Sequence, residues 1–227
     1  MLHPDTPLYV RLVLSAHILA GTLALFVAPV AMIAVKGGRA HRRFGKMYVV
    51  AMGVVAVTAL AVAPYFGDWF LLAIAVFSAY LAFSGWRILA RKRPGDAAAP
   101  VDWIAAGAVI VAGIALYALA ILQRAQFGSF AIVLAVFGTI AIVLGARDLA
   151  GLIHPTSDNS QWLFRHFTNM TAAYIATVTA FSSVNFHFIQ PVWLRWLWPT
   201  LLGSVLITYW NIAYRSPKRS AETTEPS

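Results

Sequence analysis

The run RAHRRFGKMYVVAMGVVAVTALAVAPYF, residues 39–66, decides the fold. Four cations (Arg39, Arg42, Arg43 and Lys46) and His41 crowd its start, and no charged residue follows between Met47 and Phe66. An apolar helix of this length covers about 30 Å, the thickness of a bilayer's hydrocarbon core. A cationic collar at one end is the arrangement that fixes such a helix in a membrane.

Working outward, runs of the same kind occupy 8–35, 46–66, 69–90, 102–123, 128–149, 165–189 and 193–214. They predict an all-α, polytopic membrane bundle of seven transmembrane helices. Gly37-Gly38, Pro64 with Gly67-Asp68, Pro94-Gly95, Gly128, Pro155 and Pro191 mark the breaks. Residues 1–215 form one transmembrane domain, and 216–227 (SPKRSAETTEPS) read as a disordered cytoplasmic tail. Composition agrees: 227 residues that are 60% hydrophobic and 11% charged exceed what one soluble core hides, so the excess faces lipid.

With an odd number of spans, 14 of the 17 lysines and arginines fall on one side, and only Arg11, Arg124 and Arg195 on the other. The positive-inside rule then places the N-terminus outside and the C-terminus in the cytoplasm. The net charge of +9 is accounted for by orientation, so no nucleic-acid partner is expected. The chain has no cysteine, which excludes disulfides and thiolate ligands and leaves histidine, carboxylate or carbonyl for any metal.

Polar groups gather in the sixth run, with Asn169, Thr171, Thr177, Ser182 and others, and in a stripe on the seventh, Thr200, Ser204, Thr208 and Asn211. Both runs are expected to face the bundle interior, because polar side chains inside a membrane need partners. His17 shares a face with Ala20, Gly21, Ala24 and Ala28; it reads either as a hydrogen-bond partner of the sixth or seventh run or as a cofactor contact. His41 and His166 lie at similar depth at the cytoplasmic boundary, beside Arg42, Arg43 and Arg165. That arrangement suits a b-type haem held by imidazoles from two helices, with arginines on its propionates. The outer His17 and His187 suit a second haem less well, because their depths differ. A second reading is a divalent metal on His41, His154 and His166 with Asp148 or Asp158, activating water. All eight acidic residues are read as lying in loops, tails or span ends, which disfavours a carboxylate proton relay at the bilayer midplane. The runs at 70–90 and 130–150 also align, matching Phe70 with Phe130, Gly85 with Gly145 and Arg87 with Arg147, so a duplicated helical hairpin is possible to read from them.

AHILAGTLALFVAP (16–29), HRRFGKMYV (41–49) and RHFTNMTAAYIATVTAF (165–181) together resemble the bacterial multi-pass membrane family described as domain of unknown function 2306. The resemblance rests on His17 with Gly21, on the H-R-x-x-G-x-x-Y run from His41 to Tyr48, and on His166 with Met170. Members often carry a Trp-Met-Ile-Arg-like segment after the last histidine; Phe167-Thr168-Asn169-Met170 stands here instead, as in a divergent member. The family implies a multi-pass protein of the bacterial inner membrane and supplies no reaction. The expected function is haem b-binding electron transfer or redox sensing with a small-molecule or redox partner. The alternatives are a non-enzymatic scaffold or assembly factor, a small-molecule transporter, and a metal-dependent membrane hydrolase.

Overall fold

The computed structural model describes residues 6–93, 95–155, 158 and 160–222, the side chains of 214–222 excepted. Among the described residues there are seven long helices and no strand. They are α1 (Leu8–Ile33), α2 (Arg39–Val62), α3 (Trp69–Arg87), α4 (Pro100–Leu122), α5 (Ala131–Ile153), α6 (Gln161–Asn185) and α7 (Val192–Glu222). A 3₁₀ turn, Ile88–Ala90, prolongs α3, and two single turns, Arg124–Phe127 and Gly128–Phe130, lead into α5. The segment from 216, expected to be a disordered tail, is helix as far as Glu222, and 223–227 lie outside the described residues.

Five helices are long and apolar enough to cross a membrane: α1, α2, α3 with its terminal turn, α4, and α5 with the turns before it. Their outer faces expose Leu19, Phe26, Val50, Val57, Ile104 and Val111, the surface a lipid environment accepts and water does not. The turns between them are built from local chemistry. Gly67 adopts φ 63°, which a Cβ would disfavour, and the following Asp68 caps α3 by accepting the Leu71 N–H at 2.9 Å.

α1 and α2 form one antiparallel hairpin, and α4 and α5 form another. α3 and α6 pack against each other between them, and α7 lies along α6. Small residues let these backbones approach. A Cβ on Gly138 of α5 would stand 2.9 Å from the Gly113 carbonyl oxygen of α4, and one on Gly113 would stand 2.9 Å from that of Gly138. This is close packing of the small-residue kind that holds helices together without a hydrophobic driving force. Away from the basic end, Phe70, Phe130, Phe137 and Trp196 interlock edge to face, with centroids 5.1 to 6.4 Å apart.

Two expectations change here. Ser182, Asn169, Thr171, Thr177 and Thr179 of α6 are buried as expected, but Ser204 and Thr208 of α7 are exposed. Thr208 satisfies its own hydroxyl by donating to the Ser204 carbonyl at 2.8 Å, so a Ser/Thr stripe does not require an interior. The aligned rings of the apparent repeat touch one another, Phe70 to Phe130 at 5.2 Å and Phe77 to Phe137 at 5.9 Å. Yet α3 packs along α4 while α5 and α6 do not pack as a pair, so the two halves are not equivalent hairpins.

Gly138→Ala is expected to lower stability by about 1–3 kcal/mol, because its new methyl meets backbone that cannot swing aside. Gly107→Ala, on the same hairpin but with nothing within 4 Å of the added Cβ, should be neutral or slightly stabilising. Unfolding of the two variants in detergent checks the contrast.

Candidate functional site

A helix that ends leaves its last four carbonyls without in-chain donors, and in an apolar setting each must find one. α1 ends at Ile33, and its last turn is satisfied from α2 and the connecting loop. The Ala34 N–H takes the Val30 carbonyl at 3.1 Å, His41 Nδ1 donates to Ala31 O at 2.9 Å, and the Lys36 ammonium donates to Met32 O. Lys36 also lies 5.7 Å from the Trp210 ring, and partial burial draws its pKa below the ordinary lysine value.

α3 ends in the same way. Gly85 lies in its last turn, and His166 Nδ1 donates to the Gly85 carbonyl at 2.7 Å. α6 comes this near because Gly85 has no side chain: a Cβ there would stand 2.9 Å from the Met170 side chain. The two imidazoles meet edge to face, with centroids 6.2 Å apart and planes at 74°. A carbonyl only accepts, so each Nδ1 carries its proton, and a neutral ring then presents the Nε2 lone pair. This tautomer is the one a metal-ligating histidine adopts when its other nitrogen is held by a carbonyl.

The remaining histidines are not brought to this pair. His17 Nδ1 lies 3.0 Å from Thr58 Oγ1 on α2, so its partner is on the neighbouring helix of its own hairpin and not on the sixth or seventh run. The His187 Nδ1 accepts from Arg195 Nη1 at 2.7 Å, at the far end of α6. His154 is exposed at the end of α5, and His3 lies outside the described residues. Among the described residues no three His, Asp or Glu side chains converge as a metal site would need. Arg42 and Arg43 are exposed beside His41.

Arg165 turns away from its neighbour His166. Its guanidinium lies over Gly151 of α5, where any Cβ would collide with it, and Arg165 Nη1 sits 3.8 Å from Asp148 Oδ1. Asp148 belongs to a network missed by sequence reasoning. Tyr80 donates its hydroxyl to Asp148 Oδ2 at 2.5 Å, and Arg147 Nη2 pairs with Asp148 Oδ1 at 3.4 Å. Arg147 Nη2 also donates to Asn169 Oδ1 at 2.9 Å, and Asn169 Nδ2 donates to Ser84 Oγ at 3.0 Å. Beside it the buried Asp102 holds Arg87 Nε at 3.2 Å and Arg91 Nε at 3.6 Å, and accepts the Ala99 N–H at the start of α4 at 2.8 Å. Two acids expected in loops or span ends are thus built in, Asp148 within α5 and Asp102 in the first turn of α4. The signal available beforehand was Arg87 and Arg91 one turn apart, followed by a Pro-x-Asp helix start at Pro100.

Removing one member of a buried ion pair strands the other. Asp102→Ala, which frees two guanidiniums, should cost about 3 kcal/mol, whereas Asp96→Ala in the exposed loop should cost less than about 1 kcal/mol. Thermal unfolding of the two variants in the same detergent measures the difference. Comparison of the chain with protein families, with characterised proteins and with solved structures finds no match.

Proposed function

We propose that His41 and His166 hold one redox-active haem b and that the protein transfers electrons, or reports redox state, at the cytoplasmic face of a bacterial inner membrane. The observation that carries this reading is the shared tautomer: both Nδ1–H groups are spent on helix-end carbonyls, 2.9 and 2.7 Å away, leaving one Nε2 lone pair on each of two neighbouring rings. His41 and His166 would hold the group between their rings, which therefore have to stand close together. The observed separation is 6.2 Å.

The donor set favours haem over a bare ion. A divalent metal needs about four ligands, and among the described residues no third protein ligand joins the pair. Haem would bring most of its own iron ligands, leaving only a pair such as His41 and His166 for the protein to supply. Gly45, one turn after His41, has nothing within 4 Å of where a Cβ would stand, which leaves room on that face. Arg42 and Arg43, exposed beside His41, would meet an anionic edge there, and Arg165, engaged by Asp148, would not. Once bound, haem would supply one-electron exchange; the protein's part is to fix both rings and hold their tautomers. The family resemblance adds no reaction to this reading.

The proposed topology has seven spans with the N-terminus outside. It adds α6 and α7 to the five apolar helices and is supported by the collection of 14 cations at one end. Reporter fusions after Gly67 and Gln126 are expected to signal the outer compartment, and fusions after Gly95 and Asp158 the cytoplasm. A cytoplasmic signal at Gly67 would reverse the orientation.

Absorbance spectra of the purified protein, with and without dithionite, test the haem. A Soret band at one haem per chain is expected, and His41→Gln or His166→Gln should each reduce occupancy about tenfold or more, the double variant being no worse than either single. His154→Gln should leave the spectrum unchanged. A colourless wild-type protein would reduce both histidines to helix caps, and a loss on His154→Gln would favour the three-histidine metal site.

A further inference from the structure

Next to the ion network, on the same basic end, the surface opens into a cavity of about 340 Å³. Its wall carries Arg91, Lys92, Arg93 and Arg165, together with Trp103 and Trp162. Arg91 and Arg165 also line a smaller cavity of about 20 Å³ behind it, where Arg87, Asp102 and Asp148 lie. That inner space has room for about one water. Two guanidiniums therefore stand between an open vestibule and a buried polar interior.

The charges do not balance. Five cations (Arg87, Arg91, Lys92, Arg93 and Arg165) line the two cavities against four carboxylates (Asp96, Asp102, Asp148 and Asp158), and Arg147 joins the network from outside the lining through its pair with Asp148, so the joined network carries an excess of two positive charges. The two vestibule acids are already engaged locally: Asp96 accepts the Arg93 N–H at 2.8 Å, and Asp158 accepts the Ser160 N–H and hydroxyl at 2.8 and 2.7 Å. Hydrogen bonding is incomplete as well. Arg91 Nε, 3.6 Å from Asp102 Oδ2 in its ion pair, and Arg147 Nε are buried without making a hydrogen bond. Such an arrangement is costly unless an anion completes it.

We propose that this vestibule binds a phosphate monoester, its phosphoryl group on Arg91 and Arg165 and its organic part against Trp103 and Trp162. A monoester carries about −1.5 to −2 at neutral pH, which matches the excess of two; a carboxylate or phosphodiester would neutralise half of it. Guanidiniums suit the bidentate geometry of phosphate oxygens. The rim already shows cation and indole in contact, with Lys92 Nζ 4.8 Å from the Trp162 ring centroid. At the membrane boundary the same group can arrive on a soluble ester or on a lipid headgroup. The site is separate from the histidine pair, and its test does not depend on haem content.

The full chain in phosphate-free detergent is titrated with phenyl phosphate and with benzenesulfonate, a monoanion with the same ring, following tryptophan fluorescence. In parallel, thermal unfolding is measured in nanodiscs containing phosphatidic acid or phosphatidylglycerol. Phenyl phosphate is expected to bind saturably and about tenfold or more tighter than benzenesulfonate, and phosphatidic acid to stabilise the protein more than phosphatidylglycerol. The exposed double variant Lys92→Gln/Arg93→Gln, which leaves the buried network in place, should weaken monoester binding about tenfold. Binding of phenyl phosphate alone points to a soluble ester, and stabilisation by phosphatidic acid alone points to a lipid headgroup; either supports the site. It is overturned if neither monoester binds, if monoanions do equally well, or if the double variant binds like wild type. Arg165→Gln serves as a second probe, and monoester binding undiminished in that variant would likewise overturn the assignment.

Discussion

The C-terminal carbonyls of α1 and α3 set the requirement that organises the basic end of this molecule. A helix that stops at the edge of an apolar layer leaves its last oxygens without in-chain donors, and here donors reach them from other segments. His41, Lys36 and His166 are those donors, and the rest of the local architecture follows from where they must stand. α2 has to begin close beneath the end of α1. α6 has to lie against α3 closely enough that only glycine is accommodated at position 85. The pairing of the two imidazoles is thus a by-product of closing two helix ends side by side, and it leaves both rings with one nitrogen uncommitted.

The same economy governs the charged groups. Arginines that hold helices in register with a membrane face would ordinarily be solvated, but four of them are drawn inward by Asp102 and Asp148. A buried carboxylate among guanidiniums contributes little net stability, and its removal is expensive. Its value lies in fixing geometry: Tyr80, Asn169 and Ser84 join the same network and lock α3, α5 and α6 at one depth. Buried networks of this kind specify one arrangement of helices where apolar contacts alone would permit sliding. The far end is held differently, by interlocked aromatic rings around Trp196.

Much of the architecture was legible in the sequence because a membrane punishes ambiguity. Apolar runs bounded by Gly, Pro and basic residues fall close to the helix bounds, and the equal depth of His41 and His166 pointed to one place. The side-chain directions were not legible. Arg165 adjoins His166 in the chain, yet successive residues on a helix point about 100° apart, and it serves Asp148 instead. His17 was assigned to the wrong partner because a small-residue face shows that a helix packs closely, without saying against which neighbour. The stripe on α7 misled in part: Asn211 reaches Thr168 of α6 as expected, but Ser204 and Thr208 are exposed, and Thr208 satisfies itself on the preceding turn. Asp102 and Asp148 do lie near span ends, as read, and Asp148 was read only as an alternative metal ligand, so their pairing with arginine and tyrosine was missed. Recognising them needed the three-dimensional meeting of Arg87, Arg91, Tyr80 and Arg165.

α6 differs from the helices around it in a way that bears on how the molecule is made. It places Asn169, Thr171, Thr177 and Ser182 in the interior, with Thr177 holding the Tyr48 hydroxyl at 3.2 Å and Asn169 bonded to Ser84 and Arg147. If it crosses the bilayer as proposed, Asn169 and Thr177 meet these partners only when α2, α3 and α5 are already beside it, and Ser182 meets Arg195 and Trp198 only when α7 follows. The hairpins α1–α2 and α4–α5 can each close on themselves as soon as they leave the ribosome, but α6 cannot settle ahead of them. Biogenesis would then run in the order of the chain, with α6, which is not among the five helices apolar enough to cross unaided, entering last but one and using the polar groove offered by α2, α3 and α5, rather than its own hydrophobicity, as the force that draws it in.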